Sequence, residues 1–252
     1  MNIIVASTPG EASEYVAKRI LNIIDATPAP VLGLATGGTP KGVYQMLRDE
    51  RAKEGRDFSH LTTFNLDEYV GLDPAHAQSY RYYMNTHLFD HINIPSPQIH
   101  FLDGRASDLA RECLTYDKAI ENAGGIDFQL LGIGHNGHIG FNEPSGTLQF
   151  NTHVTTLDEA TIEANARFFD APSQVPSQAI TMGVEPIMHA EEIVLMAFGE
   201  DKADIVDALL NTPTLDPQLP ASILRLHRNV TIVLDKAAAK VYQNHQSEEG
   251  IQ

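Results

Sequence analysis

The chain has 252 residues, of which 42% are hydrophobic and 20% are charged, a composition that fits one globular domain. Its formal net charge of −16 argues against a nucleic-acid partner, whose phosphate backbone would be repelled. It contains no run of about 18 apolar residues, and residues 1–6 fit a first strand better than a signal peptide. We therefore expect a cytoplasmic protein with no membrane partner. The single cysteine, Cys113, permits no intrachain disulfide.

Strand patterns and helix patterns alternate along the chain. The predicted strands are Asn2–Ala6, Val31–Ala35, Leu61–Leu66, Phe128–Ile133, Ala179–Met182, Glu192–Phe198 and Val230–Leu234, and the predicted helices are Glu11–Asp25, Pro40–Leu47, Ser79–Leu88, Asp108–Asn122 and Lys202–Leu210. This alternation predicts an α/β fold with an open, mostly parallel sheet and helices on both faces, a Rossmann-like three-layer sandwich. We expect one catalytic domain over residues 1–252, with a mobile lid around residues 156–178 and a frayed polar tail at 245–252.

Three polar loops follow predicted strands, and ligands of open α/β sheets bind beyond the carboxyl ends of the strands. The first loop is Thr36-Gly37-Gly38-Thr39-Pro40, whose backbone N–H groups and following helix N terminus predict an anion site. It lacks the ending of a Walker A loop and the G-x-G-x-x-G spacing, and a plain tight turn is the alternative. Because the net charge opposes an anionic ligand, a phosphate site has to be built locally from such N–H groups and a few cations.

The second loop begins with two adjacent carboxylates, Asp67 and Glu68, after the third strand. Neighbouring side chains on an extended segment point to opposite sides. One carboxylate is therefore expected to face the cleft, while the other meets solvent or a structural partner. The alternative is a solvated acidic turn.

The third loop is the richest in groups that transfer protons. Four glycines bend residues 132–140, and His135, Asn136, His138, Asn142 and Glu143 lie in or directly after that bend. A histidine oriented by a carboxylate can pass protons near neutral pH. The alternative is a metal site, but zinc usually has three protein ligands, and the two histidines flank an Asn-Gly turn instead of sharing one helix face.

Taken together, the three loops resemble the glucosamine-6-phosphate deaminase family. The matching segments are residues 32–40 (LGLATGGTP), 64–72 (FNLDEYVGL) and 132–144 (GIGHNGHIGFNEP). Residues 166–169 and 181–184 are similar to that family too, and the order and spacing agree along nearly the whole chain. Three long motifs in register are a far more specific signal than one glycine-rich loop.

The resemblance implies conversion of glucosamine 6-phosphate and water to fructose 6-phosphate and ammonia, without a metal or an organic cofactor. By the family's pattern, His138 opens the pyranose ring, Asp67 removes the C2 proton, and Glu143 orients and tunes His138 together with Asn136. The implied phosphate-binding residues are Thr36, Gly37, Gly38, Thr39, Arg167 and Lys202. Some members have Asp where this chain has Asn136, so the proton affinity of His138 should depend more on Glu143.

Two alternatives from other classes remain at this point: a 6-phosphogluconolactonase-like hydrolase and a non-catalytic sugar-phosphate sensor. Longer, hexameric members of the resembled family also bind N-acetylglucosamine 6-phosphate at an allosteric site that contains basic residues. The corresponding residues 145–156 include no Lys and no Arg. We therefore expect hyperbolic kinetics and favour a monomer, with a homo-oligomer left open.

Overall fold

A computed structural model describes residues 1–166, 169 and 175–249. The strands are β1 (Asn2–Ala6), β2 (Val31–Leu34), β3 (Thr62–Asn65), β4 (Asp67–Tyr69), β5 (Ile99–His100), β6 (Phe128–Leu131), β7 (His153–Thr156), β8 (Gln178–Thr181), β9 (Glu192–Ala197) and β10 (Val230–Asp235). The helices are α1 (Pro9–Ala26), α2 (Lys41–Glu54), α3 (Tyr80–His87), α4 (Leu109–Asn122), α5 (Glu159–Ala166), α6 (Val184–Met188), α7 (Ala203–Asn211) and α8 (Lys240–Glu249).

Seven strands form one sheet in the order β1-β10-β9-β6-β2-β3-β5, and every pairing in it is parallel. This confirms the predicted α/β fold with an open parallel sheet. From β2 the chain continues through β3 to β5 on one side, whereas from β6 it continues through β9 to β10 on the other. The connections after β2 and β6 therefore diverge, and such a switch point leaves a crevice at the carboxyl ends of the two strands.

A second, three-stranded antiparallel sheet, in the order β4-β8-β7, joins the large one at Leu66. The Leu66 amide donates to the Leu34 carbonyl oxygen at 3.1 Å, and the Leu66 carbonyl accepts from the Met182 amide at 2.7 Å. The chain thus leaves β3 and enters β4 with one residue between them. The sequence predicts β8 but not this small sheet, which starts at Asp67 and pairs Asp67 with Thr181.

Four of the five helices predicted from the sequence begin and end within two residues of their observed bounds, whereas α2 continues seven residues beyond its predicted end at Leu47. Their starts follow from side chains that cap free backbone N–H groups. Thr8 accepts from the Glu11 amide before α1, Ser79 from the Tyr82 amide before α3, and Asp108 from the Arg111 amide before α4.

The core contains the apolar faces of these helices and both faces of the central strands. Cys113 of α4 is buried in it, and burial raises the pKa of its thiol to about 11, as suits a small core residue and not a nucleophile. In the described residues no helix is both long enough and apolar enough to cross a membrane.

The prediction of a frayed tail is wrong for residues 245–249, because α8 continues through Glu249. His245 of α8 lies within hydrogen-bonding distance of Asp207 of α7, with 2.9 Å between Nδ1 and Oδ1. This contact holds the polar helix on the protein surface. Residues 250–252 lie outside the described residues, as do residues 167, 168 and 170–174 of the predicted lid.

Candidate active site

The three loops singled out in the sequence meet at one cavity of about 670 Å³, a size typical of small-molecule sites. The cavity opens at the carboxyl ends of β2, β3, β6 and β9, on the switch point between β2 and β6. Its lining includes Thr36, Gly37, Gly38, Thr39, Asp67, Tyr80, His135, Asn136, His138, Gly140, Phe141, Thr161, Phe198, Asp201 and Lys202. The structure thus brings Asp67 and His138 to the same space.

The loop at residues 36–39 connects β2 to α2 and turns at Gly37, whose φ of 101° is accessible to glycine at little cost. Two tyrosine hydroxyls donate to carbonyl oxygens of this connection, Tyr44 to Ala35 and Tyr83 to Gly37. Because those oxygens are bound by protein donors, the loop amides and the N terminus of α2 are the groups that suit an anion. Among the described residues, no side chain caps that N terminus.

Lys202 reaches the same cavity from the short turn that precedes α7, at the carboxyl end of β9. A cation there offsets the negative field of a protein with a net charge of −16. The second predicted cation, Arg167, lies outside the described residues.

The two adjacent carboxylates of β4 have opposite environments. Asp67 lies in the cavity lining and is buried, and none of the described hydrogen bonds ends on its carboxylate. Burial, followed by the nearby charge of Glu68, raises the Asp67 pKa to about 8. A carboxylate with so few donors is a stronger base than an ordinary aspartate.

Glu68 points instead to the N terminus of α3 and is fully engaged there. Its oxygens accept from the amides of Tyr69, Tyr80 and Arg81 at 2.9–3.0 Å and from the Ser79 hydroxyl at 3.0 Å. Burial raises the Glu68 pKa, and these four donors oppose that rise. Asp67 therefore faces the cleft, and Glu68 meets a structural partner.

His138 is paired with Glu143 across the glycine-rich turn, with 3.1 Å between Nδ1 and Oε2. Their side chains are 19% and 8% exposed. Burial acts to raise the Glu143 pKa, but hydrogen bonds from His138, Thr161 and Asn136 and the charge of His138 hold it below its usual range. Because an ionised carboxylate only accepts hydrogen bonds, Nδ1 carries the proton and Nε2 is the nitrogen that can take one from a ligand.

Asn136 forms hydrogen bonds with the Glu143 side chain and with the His138 backbone. Its Nδ2 donates to Glu143 Oε2 at 2.8 Å, while its Oδ1 accepts from the His138 amide at 3.2 Å. The amide thus holds the carboxylate and the backbone of His138, and it does not contact the imidazole ring in the contacts described. Gly134 leaves room for that ring, since a Cβ there would lie 2.3 Å from His138 Cε1.

His135, three residues earlier, is held apart from the His138–Glu143 pair. Its Nε2 lies 2.9 Å from Asp201 Oδ2, and the two side chains are 53% and 63% exposed. Over residues 1–166, 169 and 175–249, no group of three His, Cys, Asp or Glu side chains is placed to hold a metal ion. The two histidines thus pair with separate carboxylates, Asp201 and Glu143.

Exhaustive treatment with a chelator is expected to leave the activity unchanged, because the two histidines are held by separate carboxylates and do not share a ligand set. The measurement is the initial rate before and after dialysis against the chelator, with a mock-dialysed sample as control. Reproducible loss of activity that zinc or another divalent ion restores would contradict this prediction.

Three further side chains close the cavity and were not predicted from the sequence: Thr161 of α5, Tyr80 of α3 and Phe141 of the third loop. Thr161 donates to Glu143 Oε1 at 2.7 Å. The Tyr80 and Phe141 rings stack at 5.9 Å with an interplanar angle of 11°. An aromatic at helical spacing or a threonine in a polar segment gives no local signal of such a contact.

Comparison with known proteins agrees with this geometry. The family described as glucosamine-6-phosphate isomerases/6-phosphogluconolactonase matches residues 7–233. The chain belongs to this family. It is 51% identical over 240 residues to the glucosamine-6-phosphate deaminase of Clostridium tetani, covering 95% of this chain and 99% of that protein. The corresponding protein of Oceanobacillus iheyensis is 47% identical over 249 residues and covers 99% of both chains.

Solved structures of this family share the fold. A monomeric glucosamine-6-phosphate deaminase superposes with a TM-score of 0.93 at 42% identity, covering 96% of this chain and all of that one. A 6-phosphogluconolactonase from Trypanosoma brucei gives a TM-score of 0.77 at 24% identity, covering 95% and 97% of the two chains. The second likeness shows a common architecture, whereas the first is accompanied by substantial sequence identity over nearly the whole chain.

Proposed function

We propose that this protein converts glucosamine 6-phosphate and water to fructose 6-phosphate and ammonia. The observation that supports this most directly is the meeting of a buried basic carboxylate, Asp67, with the His138–Glu143 pair in one cavity that also contains an anion loop. A relative with 51% identity over nearly its whole length is named as a deaminase of this substrate.

In the proposed complex the sugar phosphate binds between the loop at residues 36–39 and Lys202, with Arg167 as a second cation. The phosphate group anchors the substrate, and its binding energy is available to align the reacting carbons. The sugar then extends toward Asp67 and His138, which line the same cavity.

Ring opening is assigned to His138. The imidazole Nε2 takes the proton of the anomeric hydroxyl and a proton is returned to the ring oxygen, while the C1–O5 bond breaks and the C1 carbonyl forms. Glu143 stabilises the imidazolium that exists between these two transfers, because its charge lies against Nδ1.

Proton transfer between the two carbons is assigned to Asp67. Its carboxylate removes the C2 proton while the electrons of that bond form the C1–C2 double bond and the C1 carbonyl oxygen takes a proton from solvent, which gives an enolamine. Asp67 then returns the proton to C1 as the amine nitrogen loses a proton to solvent and forms the C2–N double bond. The product is an imine at C2, which adds water and expels ammonia to leave the ketone of fructose 6-phosphate. A base for a carbon acid needs a partly desolvated site, as the burial of Asp67 provides.

The decisive experiment is direct measurement of ammonia released from glucosamine 6-phosphate by the purified protein, with formation of fructose 6-phosphate in equal amount. Hydrolysis of 6-phosphogluconolactone is assayed alongside. Lactone hydrolysis without ammonia release would favour the hydrolase, and binding of the sugar phosphate without turnover would favour a sensor. No described contact specifically supports either alternative.

Removing the phosphate anchor is expected to act mainly on substrate binding. Lys202→Ala should raise KM and lower kcat/KM roughly 10- to 150-fold, because a hydrogen bond to a charged group contributes about 1.5–3 kcal/mol. Lys240→Ala is the matched control, since Lys240 pairs with Glu200 on the surface and lies outside the cavity lining. Unphosphorylated glucosamine should be a very poor substrate, and comparable turnover of it would refute the phosphate site.

The protein is proposed to act as a single catalytic domain over residues 1–252 and as a monomer, like the solved relative described as monomeric. Rate-versus-substrate curves should be hyperbolic and unchanged by N-acetylglucosamine 6-phosphate, because residues 145–156 supply no Lys or Arg for a second phosphate. Initial rates with and without that compound test this. A sigmoidal curve that it makes hyperbolic would contradict the prediction. The mobility of residues 156–178 stays a prediction.

A further inference from the structure

The two carboxylate oxygens of Glu143 have different partners. Oε2 accepts from Asn136 and lies against His138 Nδ1, both within the glycine-rich loop. Oε1 accepts from the Thr161 hydroxyl at 2.7 Å, and Thr161 belongs to α5. The orientation of this carboxylate therefore depends on a helix that is separate from the loop.

The hydroxyl of Thr161 forms a hydrogen bond with a residue outside its own helix. A threonine inside a helix commonly bonds to a carbonyl of its own preceding turn, and its intrinsic preference for a helix is low. Thr161 instead donates across to Glu143, and it is buried with 6% of its surface exposed. Its position in the first turn of α5 brings it to the cavity lining.

Apolar contacts hold α5 in the place where this hydrogen bond can form. Ile162, the next residue, packs against a cluster that contains Tyr69, Phe141 and Leu157. Phe141 also lines the cavity and follows His138 in the same loop. The position of α5 is thus coupled by packing to the elements that carry both the proposed base and the proposed ring-opening group.

A carboxylate held at one oxygen can still rotate about its last carbon–carbon bond, whereas donors on both oxygens fix its plane. Fixing that plane keeps Oε2 directed at Nδ1. The Thr161 hydrogen bond also helps to keep the buried Glu143 ionised, since it lowers the Glu143 pKa against the effect of burial. Both effects act on His138 through Glu143.

We propose that Thr161 is a positioning residue that holds the Glu143 carboxylate so that His138 is aligned for ring opening when α5 lies on the cavity. The inference rests on the proposed deaminase function and adds to it a link between α5 and the acid–base pair. Thr161 acts through Glu143 and transfers no proton to the substrate itself.

The test compares Thr161→Val with Thr161→Ser. Valine keeps the shape and removes the hydroxyl, so kcat should fall about 10-fold with little change in KM, as expected for loss of one hydrogen bond to a charged group. Serine keeps a hydroxyl, so it should restore most of kcat. Thr161→Ala serves as a second deletion if the valine variant does not fold, and thermal unfolding checks every variant.

A deuterium isotope effect distinguishes slower ring opening from damage to the base. With substrate deuterated at C2, slowing a step before C–H cleavage leaves the isotope effect on kcat no larger than in the wild type. A larger isotope effect in Thr161→Val would place the defect at Asp67 and overturn the proposal.

Thr115→Val is the matched control, because Thr115 is an exposed threonine of α4 whose hydroxyl donates to the Arg111 carbonyl of its own helix, outside the cavity lining. It should keep wild-type kcat. Wild-type kcat in Thr161→Val, or a serine variant as slow as the valine variant, would also overturn the inference. Either result leaves ammonia release by the wild type intact, whereas absence of that release is a failure of the proposed function itself.

Discussion

Asp67→Asn is expected to lower kcat about 10²–10⁴-fold with KM little changed, because an amide keeps the shape of the carboxylate but cannot take the C2 proton. The buried position of Asp67 in the cavity lining and the absence of donors to it among the described contacts support this role. Steady-state ammonia release measures the effect. A variant that retains most of its kcat would exclude Asp67 as the base.

The same residue should set an acid limb in the pH profile. The base acts only when deprotonated, and burial raises the Asp67 pKa to about 8, so kcat/KM should rise with pH up to that region. The residual activity of Asp67→Asn should lack this limb. The measurement is kcat/KM for both proteins across the pH range from about 5 to 9, which brackets the raised pKa.

Asp67→Asn should also change stability with a defined sign. The folded protein keeps a proton on Asp67 that the unfolded chain releases above pH of about 3.9. The free energy of unfolding of the wild type therefore falls as the pH rises from about 3.9 to about 8. The asparagine variant has no titrating group at this position and lacks this pH dependence. The melting temperature of the variant relative to the wild type should increase with pH over this window. A constant difference would contradict the burial of a titrating carboxylate.

His138→Asn is expected to lower kcat by about 10²–10⁴, because it removes the group that moves protons during ring opening. His135→Asn is the matched control: it makes the same chemical change three residues away, at an exposed side chain paired with Asp201. Ammonia release by both variants measures the contrast, and their melting temperatures check that each is folded. Equal losses in the two variants would mean that the loop, and not the His138–Glu143 pair, accounts for the effect.

Several features of the site could be predicted from the sequence because they depend on a few neighbouring residues. The strand preceding each loop follows from short apolar runs such as that of β6, and the start of α3 follows from a capping serine, Ser79. The alternation of side chains on an extended segment predicted that Asp67 and Glu68 would separate. These are local rules, and the structure confirms them.

Which of two similar residues lies inside the cavity depends on contacts between distant segments. Glu68 is directed away because the N terminus of α3 supplies its donors, and α3 begins twelve residues after Glu68. His135 and His138 are equally plausible in sequence, but Asp201 holds the first at the exposed rim of the cavity and Glu143 holds the second inside it. The position of the carboxylate partner, Asp201 or Glu143, therefore determines where each histidine lies.

Hydrophobic periodicity, capping and backbone freedom act over a few positions, so the alternation of the central strands with their helices and the glycine turns could be predicted from the sequence. The pairing of β4 with β8 and the contact of Thr161 with Glu143 were decided only in the folded chain. The physical reason is that a hydrogen bond between distant segments exists only after strand order and packing have placed its donor and acceptor together, and no local preference specifies that distance.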